Sequence, residues 1–148
     1  MTNIAFRLVS AYLYFVSTSP NKILFYDGDC GFCNRSVAFV LKSEKEKEIS
    51  FTSLQSNFAQ EFFKNKGWSS PDLTTIYYFV NGKLFSKSRA LLQISKEIKY
   101  PYRLLRLFLI VPNFIRDRVY DLIARRRHLL NADYCLIVED IDKNRFLS

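Results

Sequence analysis

The chain has 148 residues, room for one domain of ordinary size and not for two. Hydrophobic residues make up 49% and charged residues 24%, which excludes disorder, and three cysteines are too few for a secreted disulfide scaffold. Net charge is +8 and His128 is the single histidine, so zinc sites built on several histidines of one chain are excluded.

Residues 1–20 read as an N-terminal extension, helical and packed on the domain that spans 21–148. The uncharged stretch from Leu8 to Pro20 is shorter than the ~20 apolar residues of a membrane span. Arg7 ahead of it and the small Ser17-Thr18-Ser19 leave a secretory signal or anchor as the alternative, against which the cationic region is thin and no Ala-x-Ala site follows. Ile23-Leu24-Phe25-Tyr26 is a buried strand, ended by Asp27-Gly28-Asp29. From Gly31 the period becomes helical, with Cys33, Val37, Val40 and Leu41 on one face. Ile49 to Thr52 is a second strand, and Asn57 to Lys66 a second helix. Thr74 to Val80 is a third strand. Asn81-Gly82 then marks a hairpin into Lys83–Phe85, because both turn residues favour positive φ. Ser88 to Ile98 is helical again. Two further helices are expected at Tyr102–Val111 and Asn113–Arg127, the second with Ile115, Val119, Leu122 and Ile123 facing inward. The order β-α-β-α-β-β-α defines an α/β domain, its first half a right-handed crossover between parallel strands.

The feature that carries chemistry is Cys30-Gly31-Phe32-Cys33, placed after a strand and at the start of a helix. Cysteines three apart on a first helical turn lie close enough to bridge. The helix N-terminus favours an anion at Cys30, and Cys33, one turn in, is expected to be the more buried thiol. That asymmetry suits thiol–disulfide exchange: Cys30 attacks, and Cys33 resolves the mixed disulfide. Asp27, Gly28 and Asp29 shape the loop before the helix, with Gly31 and Phe32 between the thiols. Gly31-Phe32 brings no cation and the two aspartates are negative, so the expected couple is reducing.

The run Tyr26-Asp27-Gly28-Asp29-Cys30-Gly31-Phe32-Cys33-Asn34 resembles the signature of the DCC family, thiol-disulfide oxidoreductases with a thioredoxin-like fold. Leu54-Gln55-Ser56, Ser88-Arg89-Ala90-Leu91 and the stretch Val111-Pro112 to Tyr120-Asp121 extend the resemblance, and Cys135 falls where members often carry a late cysteine. The match covers residues 23–138. It implies a thioredoxin-like sheet with Cys30 and Cys33 as the redox pair and no bound cofactor. It departs at the proline that thioredoxin-like enzymes place before the third strand. Pro71 is followed here by Asp72-Leu73-Thr74, so Leu73 or Thr74 is expected to face the cysteines.

Other readings have less support. Cys30 and Cys33 with His128 and Cys135 have the residue types of a zinc site but lack its second tight knuckle, so no metal is expected. Asp27 and Asp29 after an apolar strand resemble the paired carboxylates of a Mg²⁺-dependent phosphatase. A non-enzymatic redox sensor with a basic, anion-binding face is the third. Residues 99–130 hold eight basic side chains against Asp117 and Asp121. The bland account is a pair of solvated helix faces. The sharper one is an acidic partner or an anionic membrane surface bound through residues 99–127. No motif suggests sequence-specific nucleic-acid binding. The expected partners are a disulfide-containing substrate and a thiol electron donor. The expected location is the cytoplasm, with scope for peripheral membrane association. Cys135 is expected in the core, His128 at a helix end, and Trp68 as a packing anchor.

Overall fold

A computed structural model describes residues 20–129 and 140–148. Four strands, β1 (Lys22–Tyr26), β2 (Ser50–Ser53), β3 (Tyr77–Val80) and β4 (Lys83–Ser86), form one sheet in the order β2-β1-β3-β4. β1 runs parallel to β2 and antiparallel to β3, and β3 pairs antiparallel with β4. Helices α1 (Gly31–Ser43), α2 (Asn57–Asn65) and α3 (Lys87–Ile94) complete the expected order. This mixed sheet is compatible with a thioredoxin-like fold.

The period-two alternation of β1 divides the core. Leu24 and Tyr26 point to one face, where Val37 and Val40 of α1 and Ala90 and Ile94 of α3 meet them. Ile23 and Phe25 point to the other, where Phe62 and Phe63 of α2 cover them. Trp68 packs on that second face as expected, its ring 5.8 Å from Phe63. Ser56 caps α2, its hydroxyl accepting from the Ala59 N–H at 3.1 Å. Asn81 and Gly82 have φ of 50° and 75°, the positive values that a tight two-residue hairpin requires. The third helix stops at Ile94, four residues short of expectation. The Ser95 hydroxyl turns back to the Leu92 carbonyl at 2.7 Å, and the chain then bends so that Ile98 bridges to Glu44.

Two appended helices follow, with corrections. Tyr102–Ile110 is a 3₁₀ helix. Asn113–Arg126 forms α4, but its expected inward stripe is not buried: Ile115, Val119 and Ile123 line open space beside α3 and the cysteines, and with Leu122 all are exposed. Polar side chains tie α4 down instead. Lys87 pairs with Asp121 at 2.8 Å, and the Ile76 N–H donates to the Tyr120 hydroxyl at 2.9 Å. Near the chain's end, the Leu147 N–H donates to the Phe51 carbonyl at 2.8 Å, so this segment flanks the outer edge of β2. Among the described residues, no helix is long and apolar enough to cross a membrane. The expected N-terminal helix, Cys135 and the His128 side chain lie outside the described residues.

Candidate active site

Cys30 is the N-cap of α1, its carbonyl accepting from the Asn34 N–H at 2.9 Å. The loop that presents it is fixed from within. Asp27 Oδ1 accepts from the Asp29 N–H at 3.1 Å, and the Cys30 N–H reaches the Asp27 carbonyl at 3.3 Å. Asn34 Nδ2 donates to the Gly28 carbonyl at 3.0 Å. Gln55, from the turn after β2, accepts from the Gly28 N–H and donates to Asp27 Oδ1 at 2.8 Å. Gly28 is needed for proximity: a Cβ there would stand 2.7 Å from Ser53 Oγ.

The two thiols are free and close, but their burial is the reverse of expectation. Cys30 is 1% exposed, whereas Cys33 is half-buried. The first turn of α1 faces an unfilled space towards α4. That space is a cavity of about 330 Å³ lined by Phe32, Cys33, Ile76, Leu91, Val119 and Tyr120. Burial pushes the Cys33 thiol up to about 12, with a hydrogen bond to Cys30 acting in the same direction and Arg127 opposing. Cys33 therefore holds its proton tightly.

Arg127 is the residue that sequence reasoning missed. Its sequence context places it on a basic surface, yet it is buried at the C-terminal end of α4. Nη2 pairs with Asp27 Oδ2 at 2.8 Å, and Nη1 lies 3.5 Å from Cys33 Sγ. Both nitrogens also donate to the main chain before β3, at the Leu73 and Thr74 carbonyls. The expectation of a site without a cation is thus corrected: α4 delivers one from 94 residues away. A signal was present in the sequence, since a carboxylate directly after a buried strand needs a partner. Leu73 and Thr74 contribute carbonyls while their side chains are exposed. The side chain that shares the cavity with Cys33 is Ile76.

The site thus joins a CxxC pair at a helix start to a buried cation on the same side of the sheet. A profile of the DCC1-like thiol-disulfide oxidoreductase family matches residues 24–133. The chain belongs to that family. Its relatives include the uncharacterised protein YuxK of Bacillus subtilis, 35% identical over 130 residues that cover 86% of this chain and 95% of YuxK. A DCC family protein of Arabidopsis thaliana, named as chloroplastic, is 31% identical over 124 residues, 82% of this chain and 72% of that protein. No solved structure matches the chain. Membership of the DCC1-like family supports a redox function.

Proposed function

We propose that this DCC1-like protein is a dithiol–disulfide oxidoreductase whose redox pair is Cys30 and Cys33. The observation that carries the reading is the free, adjacent pair at the start of α1, with the Arg127 guanidinium beside the second sulfur. Cys30 is first to act, because Cys33 keeps its proton to about pH 12. The Cys30 thiolate attacks a substrate disulfide, forming a mixed disulfide and expelling one substrate thiolate, which takes up a proton. Cys33 then gives up its proton and attacks the Cys30 sulfur. The Cys30–Cys33 disulfide forms and the second substrate thiol leaves. Two electrons have passed to the substrate, and a thiol donor returns them. Arg127 stabilises the transient Cys33 thiolate. The substrate is a protein or small-molecule disulfide; the apolar walls of the cavity favour an apolar group beside the reacting sulfur. Paired thiols without a disulfide framework fit the reducing environment of the cytoplasm.

One observation favours the opposite order. Cys33 is the thiol that lines the cavity, and Cys30 is covered in the dithiol form. Attack at Cys30 requires its sulfur to be uncovered first; attack at Cys33 does not. The phosphatase reading has less support: both Asp27 oxygens are already engaged, Oδ1 by Gln55 and the Asp29 N–H and Oδ2 by Arg127. Trapping with a disulfide substrate decides among these. Cys33→Ser is expected to accumulate a mixed disulfide on Cys30, and Cys30→Ser to lose exchange. An adduct on Cys33 in the Cys30→Ser protein reverses the order. Full exchange in both variants removes the proposal.

A further inference from the structure

The 3₁₀ helix Tyr102–Ile110 has no buried residue. Three residues per turn stack its side chains into three ridges. Leu105 and Phe108 continue to Val111, and these three line a groove of about 390 Å³ against α3 and α4. Leu104, Leu107 and Ile110 form a second ridge that takes no part in that groove and is 49%, 64% and 85% exposed. The third ridge carries Arg103, Arg106 and Leu109; Arg103 is exposed and Arg106 half-buried. Phe114, four residues beyond Ile110, is 70% exposed. Tyr100 stands exposed at the other end, and Tyr102 beside it is partly covered, its ring edge-on to Phe39 at 4.8 Å. A single exposed leucine needs no explanation, but a continuous ridge with rings at both ends does.

The charge around this ridge is one-sided. The two acidic residues of α4 are turned to α3: Asp121 pairs with Lys87, and Asp117 accepts from the Ser88 hydroxyl at 2.5 Å. Arg127 is withdrawn into the redox site. Lys99, Arg103, Arg118, Arg125 and Arg126 remain exposed. Leucine is under-represented at protein–protein hot spots. Aliphatic side chains beside arginines, with tyrosines at the edge, are instead the composition of a segment lying in a membrane interface.

We propose that Tyr100–Phe114 seats the protein on an anionic bilayer surface. The Leu104–Leu107–Ile110 ridge enters the headgroup boundary, and Arg103 and Arg106 meet lipid phosphates. The protein lies on the bilayer and presents its redox site from there, an arrangement that is independent of which thiol attacks first.

The test is co-sedimentation of the full chain with two kinds of vesicle, phosphatidylcholine alone and an equimolar mixture with phosphatidylglycerol. Binding to the anionic vesicles is expected, and weakening as salt is raised. Arg103→Gln with Arg106→Gln is expected to lower partitioning roughly twenty- to thirtyfold, about fivefold for each arginine. Leu107→Ser with Ile110→Ser is expected to abolish it at every salt concentration, with circular dichroism and thiol exchange unchanged. Equal binding to both vesicles, or no binding to the anionic ones, overturns the proposal. So does binding that survives both double variants, which places the contact elsewhere in the chain. Self-association broken by Leu107→Ser with Ile110→Ser, without vesicle binding, also overturns it and makes the ridge a contact between copies.

Discussion

The α2 layer and the α4 layer are held by different physics. On the α2 face, aromatic rings interlock: Phe25 lies 5.4 Å from Phe62 and 5.2 Å from Phe63, and Phe62 lies 5.1 Å from Phe79. On the other side, beyond α1 and α3, α4 buries none of its residues and leaves a cavity on each side of Val119. Its attachments are the Lys87–Asp121 pair, the Ser88 and Tyr120 hydroxyl bonds, and Arg127 on Asp27. Apolar burial is non-directional and builds the scaffold. Polar contacts are directional and set where one guanidinium sits relative to one sulfur. The CxxC pair lies on the side held by geometry rather than by area.

Matched truncations test that contrast most strongly. Phe62→Ala is expected to cost about 3–5 kcal/mol in urea denaturation, as a buried ring removed from a packed cluster does. Val119→Ala, already facing open space, is expected to cost under about 1 kcal/mol. Similar costs at the two positions would mean that α4 is packed after all and would erase the distinction.

The ion pair offers the next effect. Arg127→Met leaves the Asp27 carboxylate buried without its cation, and the expected loss is about 3 kcal/mol. Adding Asp27→Asn removes the stranded charge and is expected to restore most of the stability. Exchange is expected to stay slow in the double variant, because Cys33 still lacks its neighbouring cation. Stopped-flow measurement of the mixed-disulfide lifetime separates the outcomes. A double variant as fast as the wild type would leave Arg127 a purely structural role.

The same contrast explains what could be read from the chain. The alternation Ile23-Leu24-Phe25-Tyr26, the helical period from Cys33 to Leu41 and the Asn81-Gly82 turn are local signals, and the elements they announce are present. The CxxC pair is also local, set by four consecutive residues. The inward stripe of α4 failed because periodicity reports that a face is apolar, not what covers it. Tyr102–Ile110 failed as an ordinary helix for a related reason: apolar residues occur at nearly every position, so the pattern fixes no period. Arg127 was missed because the desolvation of Asp27 is what selects it, and that selection acts across a separation of 100 residues. The reversed burial of the two thiols belongs with these. It depends on the tertiary packing around Cys30, which no spacing rule encodes.

The smallest expected effect reports on Cys33 itself. The unfolded chain loses this proton near the ordinary value of 9.0, whereas the folded protein holds it to about 12. Across that window the native state binds a proton that the unfolded state has lost, so stability falls as pH rises. The slope for one such group is at most about 1.4 kcal/mol per pH unit, and it vanishes below the unfolded value. Tyr26, Tyr78 and Tyr120 are shifted upward by burial as well, so the total alkaline loss does not isolate the thiol. The difference between wild type and Cys33→Ala does. It is expected to be constant up to about pH 9 and to decline above it. Arg127 pulls the thiol down, so in Arg127→Met the decline should continue to higher pH than in the wild type. If the decline is absent from both, Cys33 is no more protected from ionisation than in an unfolded chain, and the reason for letting Cys30 act first is gone.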